Sequence, residues 1–169
     1  DIAYVSQKGL MSGVGEGRFN PGAPVTRGQL VTILYRLEGQ PDQELTMQDL
    51  TRGYSDVSSE EWYADGITWA AENGIVNGYG DDRFGPNDSV TREQFVVMLW
   101  RYAGSPEAKS DRALAFTDAD QASAYALEAL RWAVENGVLN GHGNGRLAPG
   151  GTATRAEAAQ MLKNFMENT

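Results

Sequence analysis

Three threonine–arginine pairs, Thr26-Arg27, Thr91-Arg92 and Thr154-Arg155, each head an apolar run, spaced 65 and then 63 residues apart. Each opens the pattern Thr-x-x-Gln/Glu, completed by Gln29, Gln94 and Glu157. In such a capping box the threonine hydroxyl accepts from the backbone N–H three residues on, and the Gln or Glu reaches back to the cap. The box explains the first and fourth positions but not the arginine. A cation in the first turn faces the positive end of the helix macrodipole, at a cost of about 0.3–1 kcal/mol. Helix starts also offer N–H groups that attract anions. An arginine fork beside those donors makes chemical sense if a carboxylate or phosphate sits between them. The pairs therefore predict a chain that grips an anionic, repetitive ligand through Arg27, Arg92 and Arg155, with Thr26, Thr91 and Thr154 alongside. The competing expectation is structural: salt bridges from these arginines to Asp56 or Asp118, tying repeat to repeat.

Such a constellation needs a repeated frame, and the register extends well beyond the pairs. Gly9, Gly74 and Gly137 align, as do Gly13, Gly78 and Gly141, Arg18, Arg83 and Arg146, and Pro21, Pro86 and Pro149. Tyr4, Trp69 and Trp132 share an aromatic position; Phe19, Phe84 and Leu147 also align, with leucine replacing phenylalanine in the third unit. Each unit reads as a first helix ending at a C′ glycine, a short apolar stretch, a glycine turn and a compact loop. The Thr-Arg helix follows, with stripes such as Leu30, Leu34 and Leu37 or Phe95, Met98, Leu99 and Tyr102. Gly39-Gln40-Pro41 and Gly104-Ser105-Pro106 stop that helix twice. The units span 1–41, 54–106 and 116–169, with 42–53 and 107–115 as polar surface linkers.

Tyr54-Ser55-Asp56 and Phe116-Thr117-Asp118 form an aromatic-x-Asp lead-in to units two and three, where each Asp is expected as a helix cap. Unit one opens at Asp1, in register with Gly66, so its lead-in and the start of its first helix are expected to be missing. In unit three, Ala124 reads as the counterpart of Trp62. A unit of this kind cannot bury its apolar faces alone, so neighbours must pack, either in a line or around a pseudo-threefold axis. The architecture is mainly α in both cases.

Composition narrows the chemistry. The formal net charge of −9 repels nucleic acid and anionic lipid, so an anion must be held by local donors and a nucleic-acid partner is excluded. No cysteine is present, which removes disulfides, thiol catalysis and cysteine metal sites. No apolar run approaches the roughly 20 residues of a membrane span, so membrane insertion is not expected. No signal peptide is visible, but a chain opening on Asp1 is expected to have been trimmed, so that absence says nothing about secretion. Gly80-Asp81-Asp82-Arg83 places a cation where a calcium loop needs an oxygen ligand, so no metal is expected. His142 aligns with Tyr79 and Val14 and is not a repeated feature. No nucleophile motif or phosphate loop appears, and Asp56 and Asp118 are equivalent positions rather than an acid–base pair. The chain is expected to be neither an enzyme nor a cofactor protein.

The order aromatic-x-Asp, Trp, Gly-Ile/Val, Gly-x-Gly-x-[Asp/Gly]-Arg-Phe-x-Pro, Val-Thr-Arg-x-Gln/Glu resembles the S-layer homology domain, three units of it over nearly the whole chain. The resemblance implies a three-pronged, pseudo-threefold assembly around a central helical bundle, at the bacterial cell wall or surface. It implies a non-catalytic anchor to a secondary cell-wall polymer, through a pyruvylated amino sugar that the Thr-Arg arginines meet in grooves between units. The matching positions are Arg27, Arg92 and Arg155. Gly78 and Gly141 are secondary candidates for close sugar approach, and Trp69 and Trp132 for stacking, although turn geometry and core packing account for all four. Arg92 and Arg155 rank first: Arg92 has the most complete unit around it, and Arg155 the full Thr-Arg-Ala-Glu motif. Arg27 follows, since Gly28 weakens its helix start by up to about 1 kcal/mol relative to alanine. The alternative function is a protein–protein scaffold of the cell surface.

Overall fold

The computed structural model describes residues 1–41 and 54–169; the expected linker at 42–53 lies outside them. The described residues form α1 (Ile2–Gln7), α2 (Arg27–Leu37), α3 (Ala64–Glu72), α4 (Arg92–Tyr102), α5 (Leu127–Glu135) and α6 (Arg155–Asn168). Three short 3-10 turns lie between α4 and α5, and the only β-pairing among the described residues is in isolated bridges. The mainly helical expectation holds.

Local chemistry accounts for the helix ends. Thr26, Thr91 and Thr154 are N-caps, and all three capping boxes are complete. Gly9, Gly74 and Gly137 take φ of 69°, 68° and 66° just past α1, α3 and α5. That left-handed C′ conformation stops a helix at little cost only for glycine. The first helices depart from expectation. Neither α3 nor α5 has a side-chain cap: the cap positions are Tyr63 and Ala126. Asp56 and Asp118 lie well upstream and serve another purpose.

The chain divides into two compact units. One comprises Val25–Ser89, the other Asp1–Pro24 with Val90–Thr169. This division cuts across the sequence repeat, and the reason is packing. In the first unit α2 packs on α3; in the second, α4 packs on α5 and α6 on α1. Each Thr-Arg helix thus buries its stripe against the first helix of a different repeat. Leu30, Leu34, Ile67 and Phe84 are fully buried in the Val25–Ser89 unit, and Tyr35 meets Trp69 at 5.7 Å. Phe95, Leu99, Leu130, Leu147 and Leu162 fill the core of the other, where Trp132 and Phe165 stand 6.2 Å apart. Each such side chain contributes about 1.5–3 kcal/mol of transfer free energy.

The 107–115 segment is tied along α5. The amides of Ala108 and Lys109 donate to Glu128 and Glu135 at 2.8 and 2.7 Å, Arg131 pairs with Asp111 at 2.6 Å, and Ala113 is buried.

Candidate functional site

The three arginines occupy equivalent settings, and those settings correct part of the sequence reading. Arg27, Arg92 and Arg155 are only 6, 5 and 7% exposed. Each aims two nitrogens at backbone carbonyls in the loop of another repeat. Arg27 donates from Nε to Phe84 and from Nη2 to Asn77, both at 2.8 Å. Arg92 donates from Nε to Leu147 at 2.9 Å and from Nη2 to Asn140 at 3.3 Å. Arg155 donates from Nε to Phe19 at 2.9 Å and from Nη2 to Ser12 at 2.6 Å.

The helix-start amides are spent in the same way. The N–H groups of Arg27 and Gly28 donate to Asp88 and Pro86, those of Arg92 and Glu93 to Gly151 and Pro149, and those of Arg155 and Ala156 to Ala23 and Pro21, all at 2.8–3.0 Å. The third amide of each helix goes to its threonine. The first three amides of each of these three helices are thus taken and not open to an anion, contrary to expectation. Loop carbonyls act as the partial negative charge that tolerates a cation at a helix start. The threonines, half-buried with their hydroxyls accepting in the boxes, are cap residues.

The guanidinium groups differ at their third nitrogen. Arg92 donates from Nη1 to Glu157 Oε1 at 2.7 Å, a salt bridge from repeat two to repeat three. The other oxygen of Glu157 accepts from the Thr154 amide at 2.9 Å. Burial pushes the Glu157 carboxyl up, but the Thr154 bonds, Arg92 and His142 outweigh it and hold its pKa below the ordinary value. A glutamine could not do both: one oxygen goes to the cap, leaving an NH2 that cannot accept. The other two boxes carry Gln29 and Gln94, and Nη1 of Arg27 and Arg155 has no protein acceptor among the described residues. Burial lowers the pKa of both. Around Arg27, Tyr79, Asp88, Tyr54 and Asp56 act against that, whereas for Arg155 burial acts alone. Aromatic faces support both cations: Phe84 and Tyr79 lie 4.5 and 4.7 Å from Arg27, and Phe19 lies 4.4 Å from Arg155.

The lead-in aspartates bind neither arginines of the pairs nor helix starts. Asp56 accepts from the Phe84 and Gly85 amides, both at 2.8 Å, and Asp118 from Leu147 and Ala148 at 2.8 and 2.9 Å. Burial raises each carboxyl, but these amides, with Arg83 or Arg146, bring it below the ordinary range. One peptide group in each loop is thus held from both sides, its N–H by an aspartate and its carbonyl by an arginine. The second arginine set braces the loops: Arg18 pairs with Glu16, Arg83 with Asp81 at 3.2 Å, and Arg146 with Asp118 at 3.4 Å.

The secondary candidates are structural in position. A Cβ on Gly78 would collide with the Tyr54 ring, and one on Gly141 with Phe116, so both glycines lie beneath lead-in aromatics rather than open to a sugar. Trp69 and Trp132 are 6 and 4% exposed, and neither presents a free face. Among the described residues the open aromatics are Trp62, Tyr125 and Tyr79, at 59, 55 and 46%, and Tyr79 already lies over Arg27. The matched exposure of Trp62 and Tyr125 also corrects the alignment. The residues just before α3 and α5 are Tyr63 and Ala126, so Trp62 corresponds to Tyr125, not Ala124. Tyr125 stands 63 residues after Trp62, the same offset that relates Trp69 to Trp132.

With this geometry established, comparison with known proteins identifies the chain. The model of the S-layer homology domain matches residues 1–31, 53–96 and 115–159. The chain belongs to the S-layer homology family. A surface-layer 125 kDa protein of Lysinibacillus sphaericus is 31% identical over 95% of the chain and 13% of its own length. An S-layer protein, sap, of Bacillus anthracis is 28% identical over 95% of the chain and 19% of its own length. An amylopullulanase of Thermoanaerobacterium thermosulfurigenes is 31% identical over 99% of the chain but only 9% of its own length. The chain therefore spans less than a fifth of these relatives. An S-layer homology segment shared by a named enzyme and by surface-layer proteins is a cell-wall-anchoring kind of module, and its place is the bacterial cell wall or surface.

Proposed function

We propose that this chain is a non-catalytic anchor that binds an anionic secondary cell-wall polysaccharide, with a pyruvylated amino sugar as the group recognised. The observation that carries the reading is the pair of buried cations, Arg27 and Arg155, whose Nη1 groups meet no protein acceptor. Both side chains are largely buried while their Nη1 atoms are not among the buried unpaired groups, so a ligand carboxylate can reach Nη1 from solvent and form a charge-assisted bond there. Arg155 leads, since no acidic group offsets its burial, and Arg27 follows. Arg92 ranks last in this reading because Glu157 already occupies its Nη1, whereas the sequence placed it first together with Arg155. The exposed rings of Trp62 and Tyr125 supply stacking surface for sugar faces. Two grips on one polymer act together through effective concentration.

The chain should be retained on protein-free bacterial cell walls bearing ketal pyruvate. Retention should fall with salt, whose screening length is about 10 Å at 0.1 M, and disappear after chemical depyruvylation. Arg155→Gln, checked for folding by circular dichroism, should cost more retention than Arg92→Gln. Undiminished retention on depyruvylated walls would remove the ketal from the reading.

The second reading, a cell-surface protein scaffold with structural inter-repeat salt bridges, is favoured by the Arg92–Glu157 pair. It expects no retention on protein-free walls.

A further inference from the structure

The loop that Arg27 enters carries a side-chain pair that the other two repeats do not repeat. The Tyr79 ring lies 4.7 Å from the Arg27 guanidinium, and the Tyr79 hydroxyl donates to Asp88 Oδ2 at 2.9 Å. At the repeat offsets Tyr79 becomes Val14 and His142, while Asp88 becomes Ala23 and Gly151. Of the three Thr-Arg sites, that of Arg27 alone has an acid in this place.

Backbone bonds within the Val25–Ser89 unit fix the pair. The Asp88 carbonyl accepts from the Arg27 amide at 2.9 Å, the Asp88 amide donates to Gly85 at 3.1 Å, and the Tyr79 amide donates to Arg83 at 2.8 Å. Asp88 is thereby pinned against the start of α2, beside the cation. Gly85 makes the room, since a Cβ there would collide with both Asp88 Oδ2 and the Tyr79 ring. Asp88 itself is exposed. With Oδ2 taken by Tyr79, its Oδ1 has no donor among the described residues. Burial lowers the Arg27 pKa, and Tyr79 and Asp88 lead the groups that oppose it, so the Asp88 charge reaches the guanidinium.

We infer that Tyr79 and Asp88 set the selectivity of the Arg27 site, which takes a singly charged carboxylate borne on a sugar and turns away a phosphate dianion. The inference rests on the reading of Arg27 as an anion-binding residue. A ligand carboxylate at Arg27 Nη1 leaves Asp88 Oδ1 to accept from a sugar hydroxyl or acetamido N–H nearby. A phosphate monoester carries about 1.5–2 negative charges at pH 7, and the surplus meets the Asp88 carboxylate with nothing to offset it. Bracing the loop would need only an acceptor for the Tyr79 hydroxyl, which an asparagine also supplies.

The test titrates the chain with two N-acetylhexosamine methyl glycosides, one bearing a pyruvate ketal and the other a phosphate monoester. The NMR resonance of Arg27 Nε–H reports this site apart from Arg155. The wild-type chain should bind the ketal probe more tightly. Asp88→Asn should cut that preference about two- to fivefold, the scale of one exposed charge interaction. Tyr79→Phe keeps a ring over Arg27 but releases the carboxylate, and should lose part of the preference; a full preference there would overturn the role of Tyr79. Equal affinities in the wild type, or an unchanged preference in Asp88→Asn, would overturn the selectivity while leaving Arg27 an anion site. No response of Arg27 Nε–H to either probe would remove the anion site, and the selectivity with it.

Discussion

Glu157 shows how one side-chain atom decides what an arginine is free to do. Its two oxygens serve two masters, the Thr154 cap and the Arg92 guanidinium. Gln29 and Gln94 close the same kind of box with a single oxygen. Glu157→Gln should therefore keep the α6 cap while releasing Nη1 of Arg92. We expect a loss of about 1–2 kcal/mol in stability, the scale of one partly buried charge-assisted hydrogen bond, together with increased retention on pyruvylated walls. Denaturant melts and wall pull-downs on the same preparation check both; a stability loss without a gain in retention would leave Arg92 a purely structural residue. Spacing alone picked out the three arginines correctly as one recurring set. It could not tell them apart, because the distinguishing acceptor lies 65 residues from Arg92.

At the scale of elements, the start of α2 illustrates a trade between a helix and what packs on it. Gly28 was expected to weaken that helix, and a Cβ there would sit 2.9 Å from the Pro86 carbonyl and 3.2 Å from the Tyr63 ring. The glycine makes room for Tyr63. In the equivalent place on α4 stands Glu93, opposite the 3-10 turn that holds the smaller Ala126, and its carboxylate accepts from the amide and hydroxyl of Ser123 at 2.9 and 2.6 Å. Gly28/Tyr63 and Glu93/Ala126 are thus two solutions to one volume constraint. Gly28→Ala should destabilise the chain by about 1–3 kcal/mol through overpacking, despite a gain of up to about 1 kcal/mol in helix propensity. Thermal melts should show a drop of several degrees; an unchanged or raised midpoint would mean that Tyr63 shifts freely. The capping boxes and C′ glycines were legible because each is a contact within about five residues. The pairing of α2 with α3, α4 with α5 and α6 with α1 was not, because apolar stripes of similar width do not name their partners.

Across the whole molecule three hydrogen-bonded carboxyl groups share one direction of shift. Asp56, Asp118 and Glu157 all lie below their ordinary values, so each is unprotonated in the folded chain at pH values where the unfolded chain has begun to bind protons. Their contribution is therefore fully present above the unfolded carboxylate range of about 4 and is lost as pH falls through the lower folded values. The melting temperature should be level from about pH 5 to 7 and decline below about pH 4. Asp118→Asn should lower the plateau and flatten that decline, since an amide presents a donor to one of the two loop N–H groups. A decline of unaltered steepness would place the acid sensitivity elsewhere.

What the sequence determined by itself was everything carried by short spacing: the repeat register, the helix starts and stops, the recurring arginines and the family they belong to. Those signals are local, because a cap, a C′ glycine or an apolar stripe is satisfied within a few residues of itself. Tertiary structure alone decided what the charged groups of those motifs touch. Arg155 reaches a carbonyl 136 residues away and Asp118 an amide 29 residues on. Buried hydrogen-bonding groups take whichever partner the packed helices bring within about 3 Å. The arginines, read as open forks, turned inward to loop carbonyls for that reason, and the aspartates, read as caps, became the braces of the same loops.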